Sequence, residues 1–103
     1  MNSEMTTEQL RTKLEEGEPL NLIDVREQEE WNEGHIKEAK FLPLSELQER
    51  LDELKGQTQP LVLICRSGNR SGKACAFLAA QGYSVVNVLG GMLAWDGPVT
   101  TGE

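Results

Sequence analysis

Apolar residues along this chain follow two rhythms. Short, nearly unbroken runs occupy 20–25, 61–65 and 85–89, and between them single apolar residues recur at helical spacing. The first rhythm is that of buried strands, the second that of helices with one apolar face. Leu20-Asn21-Leu22-Ile23-Asp24-Val25 predicts a strand with a polar exit. Leu61-Val62-Leu63-Ile64-Cys65 is apolar throughout, the pattern of a strand covered on both faces. Val85-Val86-Asn87-Val88-Leu89 predicts a further strand, and Phe41-Leu42 a brief one cut off by Pro43.

The helices carry their own punctuation. Thr6 as N-cap with Gln9 three residues on forms a capping box, and Met5 with Leu10 is placed as a hydrophobic staple. Leu10 and Leu14 share a face, and Gly17 with Pro19 close that helix. Residues 27–33 predict a short acidic helix ending at Gly34. Ser45 with Gln48 reads as a second capping box, opening a helix striped by Leu47, Leu51 and Leu54 that stops before Gly56. Ser71 to Ala80 is helical by the spacing of Ala74, Phe77 and Leu78, with Gly82 as terminator. After Gly90-Gly91 a short helical piece reaches Trp95.

Strands alternating with helices define the α/β class: a mostly parallel sheet with helices on both faces. In such sheets ligands bind beyond the carboxyl ends of the strands. Cys65, Asp24 and Arg26 all fall at such ends. With 103 residues, no repeat, no low-complexity tract and no linker, the expectation is one domain over 1–103. A domain of that size buries roughly 60–70% of its unfolded surface, enough for one core without disulfides.

The chemistry concentrates in Cys65-Arg66-Ser67-Gly68-Asn69-Arg70-Ser71. A thiol at the end of a buried strand, followed by a Gly/Ser/Asn/Arg loop and a helix start, sits among backbone N–H groups and a helix dipole. Both favour thiolate over thiol, and the same groups attract an anion. The loop therefore reads as an activated nucleophile with its binding site. A small buried cysteine merely ending a strand would not call for Arg-Ser-Gly-Asn-Arg directly after it. Cys65-x4-Arg70 is one residue short of the Cys-x5-Arg loop of cysteine-dependent phosphatases, and the tighter loop suits a sulfur carried on the thiolate better than a phosphoryl group. The segment Gly68–Lys73 does not make a nucleotide P-loop: three residues separate the glycines and Ala74 follows Lys73.

Charge and cysteine count narrow the partners. Ten basic against 17 acidic residues leave a net charge of −7, which argues against nucleic acid and anionic membrane. Much of the acid lies in 27–33 and 46–53, read mostly as solvated faces, while Arg66, Arg70 and Lys73 cluster around Cys65, suiting a small anion. No apolar run approaches the roughly 20 residues of a membrane span. Two cysteines and one histidine do not supply a zinc site, and neither a metal nor a cofactor is expected. The polar start, Met1 to Leu10, carries no signal-peptide pattern, so a reducing, cytoplasmic setting without a Cys65–Cys75 disulfide is expected.

The Cys65 loop, with Ile23-Asp24-Val25-Arg26-Glu27, Trp31, Gly34-His35-Ile36 and Asn87-Val88-Leu89-Gly90-Gly91 ahead of Ala94-Trp95, resembles the rhodanese (thiosulfate sulfurtransferase) domain. The resemblance runs from about residue 6 to 99 and departs at Lys37-Glu38, where the family usually has proline and glycine. It implies a three-layer fold with about five strands and a persulfide on Cys65, cradled by the amides of Arg66 through Ser71. By the same likeness Asp24 and Arg26 support the loop and His35 is a structural hydrogen-bonder. The implied reaction moves sulfur from a small anionic donor to a thiol or protein acceptor. A sulfur-delivery or sensing module, and a phosphatase or arsenate reductase, are the alternatives. Cys75 reads as core packing, and Trp31 and Trp95 as anchors of helices on the sheet.

Overall fold

A computed structural model describes residues 2–102. Five strands, β1 (Asn2–Thr6), β2 (Asn21–Asp24), β3 (Lys40–Phe41), β4 (Leu61–Ile64) and β5 (Val85–Leu89), form one sheet. Its order is β1-β5-β4-β2-β3, and every pairing is parallel. Among the described residues four α-helices accompany it: α1 (Thr7–Glu15), α2 (Gln28–Glu33), α3 (Asn69–Ala80) and α4 (Gly91–Ala94). The α/β class and the five-stranded sheet are as expected. Among the described residues no helix is long and apolar enough to cross a membrane.

The sheet divides the core in two because side chains alternate along each strand. Leu61, Leu63 and Cys65 of β4 and its exit join Ala74, Cys75 and Leu78 of α3 on one face. Val62 and Ile64 join Leu10 of α1, with Met92 and Trp95 packed alongside, on the other. That two-sided burial is why β4 is apolar at every position. The Thr6 capping box forms as its spacing requires: Gln9 N–H donates to Thr6 Oγ1 at 3.1 Å and Thr6 N–H to Gln9 Oε1 at 2.9 Å. Met5 and Leu10 share one cluster, as the staple predicts.

Three details differ from the sequence reading. Strand β1 has no apolar pattern, since it is an edge strand whose side chains are mostly exposed and whose ladder to β5 is a backbone affair. The helix expected after Ser45 is instead two 3₁₀ turns, Leu44–Glu46 and Leu51–Leu54. Ser45 does not cap there; its hydroxyl donates to the Glu27 carboxylate at 3.2 Å. Leu47 and Leu54 still face the core, so the apolar stripe was correct and the continuous helix was not. Helix α3 starts at Asn69, two residues before the expected Ser71, because Gly68 supplies the turn.

Candidate active site

Strand β4 delivers Cys65 to the carboxyl edge of the sheet, where the chain must reverse into α3. Gly68 makes the reversal in the left-handed region (φ +102°), open to glycine at little cost. A Cβ at that position would lie 3.5 Å from the Gly90 nitrogen, so the loop also rests on the β5–α4 turn. The carbonyls of Cys65 and Arg66 turn towards α4, accepting from Met92 N–H at 2.8 Å and Leu93 N–H at 2.9 Å. With those carbonyls held away, loop N–H groups are left for the sulfur. Gly68 N–H donates to Cys65 Sγ at 3.1 Å, and the Ser71 hydroxyl lies 3.3 Å from the same atom.

Burial by itself raises the pKa of the Cys65 thiol. The Ser71 hydroxyl and the N–H groups of Ser71, Gly68 and Ser67 outweigh it, and the net direction is downward. The residue is only 1% exposed, so the sulfur lies at the floor of the site rather than at its surface. Cys75, also buried, has no such donors; burial, and then the nearby Cys65, push its thiol up to about 11.

The expected substrate-binding residues separate into two groups. Gly68 and Ser71 contact the sulfur, and Ser67 contributes its N–H. Arg66, Ser67 and Asn69 are exposed, and Arg66 lines a cavity of about 340 Å³ with Arg26, Glu30, Glu33, Met92 and Leu93. Arg70 was expected to face the anion. Its guanidinium is instead held by Glu30, Nη1 to Oε1 at 2.7 Å and Nη2 to Oε2 at 2.8 Å. That fork-to-fork pair holds the Glu30 carboxyl down at about 2, against the opposing effect of burial. Glu30 belongs to the acidic stretch read as a solvated face; its partner is 40 residues away in the chain.

Asp24 and Arg26 are buried, so their pair is no surface ornament. Arg26 Nε and Nη2 reach the Asp24 carboxylate at 3.0 and 2.8 Å, and Nη2 also donates to the Gly34 carbonyl at 2.7 Å. They therefore tie the exit of β2 to the end of α2, the helix that carries Glu30. His35 stacks on Trp31 with ring centroids 3.5 Å apart, and its Nδ1–H donates to the Trp31 carbonyl at 2.8 Å, which fixes the tautomer. Its backbone pairs with Thr100. His35 is thus a structural hydrogen-bonder. Trp31 also lies 5.2 Å from the Phe41 ring, and Trp95 packs beside the cluster that holds Leu10.

Asn87 and Gly91 belong to the site without having been singled out as site residues. Asn87 Nδ2 donates to the Gly68 carbonyl at 3.2 Å and its Oδ1 accepts from the Ser71 hydroxyl. A polar residue inside the apolar run of β5 was the available signal. Gly91 (φ +53°) lies so near the loop that a Cβ there would overlap the Cys65 carbonyl and fall 2.6 Å from that of Arg66.

Residues 6–97 match the model of the rhodanese-like domain family. YtwF of Bacillus subtilis is 45% identical over 94 residues, covering 91% of this chain and 90% of its own. A sulfurtransferase of Allochromatium vinosum is 38% identical over 96 residues, covering 92% of this chain and 89% of its own. The crystal structure of a rhodanese-like domain protein from Staphylococcus aureus superposes with a TM-score of 0.88 at 34% identity, over 98% of this chain and 99% of the other.

Proposed function

The chain belongs to the rhodanese-like domain family, and on that footing we propose that it is a sulfurtransferase working through a Cys65 persulfide. The observation that carries the reading is the Cys65 sulfur held between the Gly68 N–H and the Ser71 hydroxyl, with its pKa lowered. The name of the Allochromatium relative supports the same class of reaction.

In the first half-reaction the Cys65 thiolate attacks the outer sulfur of thiosulfate. The new S–S bond forms as the S–S bond to the sulfonate group breaks, and sulfite leaves with the bonding pair. The product is Cys65–S–S⁻, its charge on the outer sulfur and offset by loop N–H groups. In the second half-reaction an acceptor nucleophile, cyanide or a thiolate, attacks the outer sulfur and returns Cys65 as thiolate. A persulfide donor enters the same scheme with a thiolate as leaving group. Arg66 is the cation that steers the donor, since Arg70 is paired with Glu30 of α2. Asp24 and Arg26 support the loop from the far end of α2. A reducing cytoplasm, which keeps Cys65 as a thiol, suits this cycle.

Incubation with thiosulfate should add one sulfur atom to the intact mass, and cyanide should remove it. A folded protein that gains no sulfur from thiosulfate or from a persulfide donor would refute the scheme. Delivery to a protein acceptor, with little turnover of free thiosulfate, is favoured by Leu93, 67% exposed on the cavity rim. Transfer that is slow to small thiols and rises sharply with a protein thiol would select that reading. Hydrolysis of an aryl phosphate dependent on Cys65 would point instead to a phosphatase.

A further inference from the structure

The Ser71 hydroxyl has one proton and two acceptors within reach, Cys65 Sγ at 3.3 Å and the Asn87 amide oxygen. It cannot serve both at full strength. The Asn87 amide cannot turn over to relieve the competition, because its Nδ2 donates to the Gly68 carbonyl and a reversed amide would set oxygen against oxygen there. The Gly68 carbonyl is itself fixed, accepting from Gly72 N–H at 3.0 Å as the first bond of α3. One side chain thus holds two of the residues that serve the sulfur, Ser71 by its oxygen end and Gly68 by its nitrogen end.

We propose that Asn87 is a positioning residue for the Cys65 sulfur, drawing the Ser71 hydroxyl proton to its own amide oxygen unless the sulfur is charged. With a neutral thiol, Cys65 S–H donates to Ser71 Oγ and Ser71 donates to Asn87. When the thiol ionises, the Ser71 proton turns to the sulfur and leaves Asn87 Oδ1 without a partner in a position only 9% exposed. That lost bond weighs against the bare thiolate. In a persulfide the inner sulfur is neutral again and the Ser71 proton returns to Asn87. The arrangement therefore favours the sulfur-loaded state over the empty thiolate, a consequence that rests on the sulfur-transfer reading; the competition for the proton does not.

The charged and titratable groups on the elements around Cys65 are Arg66 in the loop, Arg70, Lys73 and Cys75 on α3, Asp24, Arg26 and Glu27 at the exit of β2, and Glu29, Glu30 and Glu33 on α2. None of them is altered by exchanging Asn87. The test is the pH dependence of Cys65 alkylation by iodoacetamide, read by peptide mass, for Asn87→Leu in the native chain and in Ser71→Ala. Freed of its competitor, Ser71 should move the Cys65 midpoint to lower pH, by about one unit for one charge-assisted hydrogen bond. In Ser71→Ala the same exchange should give no downward shift, only what the loss of the Gly68 brace produces. An unmoved or raised midpoint with Ser71 present, or an equal downward shift in both backgrounds, would overturn the proposal. Asn87→Ala is read in the same way, so a Leu variant that fails to fold leaves the experiment intact. No sulfur donor enters the titration, so its failure is distinct from a failure of sulfur loading.

Discussion

The backbone N–H of Met92 donates to the carbonyl of Cys65 at 2.8 Å, and this bond turns that carbonyl towards α4 and away from the sulfur. It requires that α4 approach the loop with no side chain between them, which Gly91 permits. Gly91→Ala should therefore disturb the loop twice, by overlap with the Cys65 and Arg66 carbonyls and by a Cβ at φ +53°. A loss of more than about 3 kcal/mol of stability is expected in thermal or denaturant unfolding. Whatever folds should show Cys65 alkylation moved towards that of an ordinary thiol.

Cys65→Ser should abolish sulfur loading and leave the fold in place. The change conserves shape, and the neighbouring donors Gly68 N–H and Ser71 Oγ accommodate a hydroxyl. The expected cost in denaturant unfolding is about 1 kcal/mol. Intact mass after thiosulfate should equal that of the untreated variant.

Cys75→Ala should keep sulfur transfer at the native rate. A thiol pushed up to about 11 by burial is protonated at neutral pH and a poor partner for exchange with Cys65. Losing its sulfur from the cluster with Leu63, Ala74 and Leu78 should cost about 1–2 kcal/mol. Transfer assays and unfolding curves separate the two effects; an inactive but stable variant would implicate Cys75 in the chemistry.

The Glu30–Arg70 pair predicts an acid limb in the stability curve. A carboxyl held near 2 in the folded chain, against an ordinary 4.5, contributes its full share above about pH 4.5. That share is lost as pH falls from there towards about 2, since protonation then removes a charge that only the folded state uses. Both side chains retain about a third of their exposure, so solvent screening limits the share to about 1 kcal/mol. Thermal melts from pH 6 to 2 should fall more steeply for the native chain than for Glu30→Gln. Parallel curves would show that the pair contributes nothing.

Contiguous residues announce whatever depends on contiguous residues. The Thr6–Gln9 capping box spans four positions and forms as expected, and β4 is legible because burial on both faces leaves its run with no polar position. Ser45-x-x-Gln48 carries the same local signal and fails, because Glu27 offers the Ser45 hydroxyl a partner from 18 residues away. Strand β1 is illegible for the opposite reason: a backbone ladder to β5 writes nothing into the side chains of an exposed edge.

By itself, the sequence determined the α/β class, the strand that ends in Cys65, and a polar loop entering a helix behind it. These follow from periodicity, turn residues and helix-start chemistry, all of which act over a few neighbouring positions. Tertiary structure decided which groups serve the sulfur. It gave Arg70 to Glu30, set Asn87 against Cys65 for one hydroxyl proton 16 residues from its own position, and brought Gly91 under the Cys65 carbonyl. Hydrogen bonds and close approaches of that kind depend on where the sheet carries each strand end, and no local pattern encodes a distance across the fold.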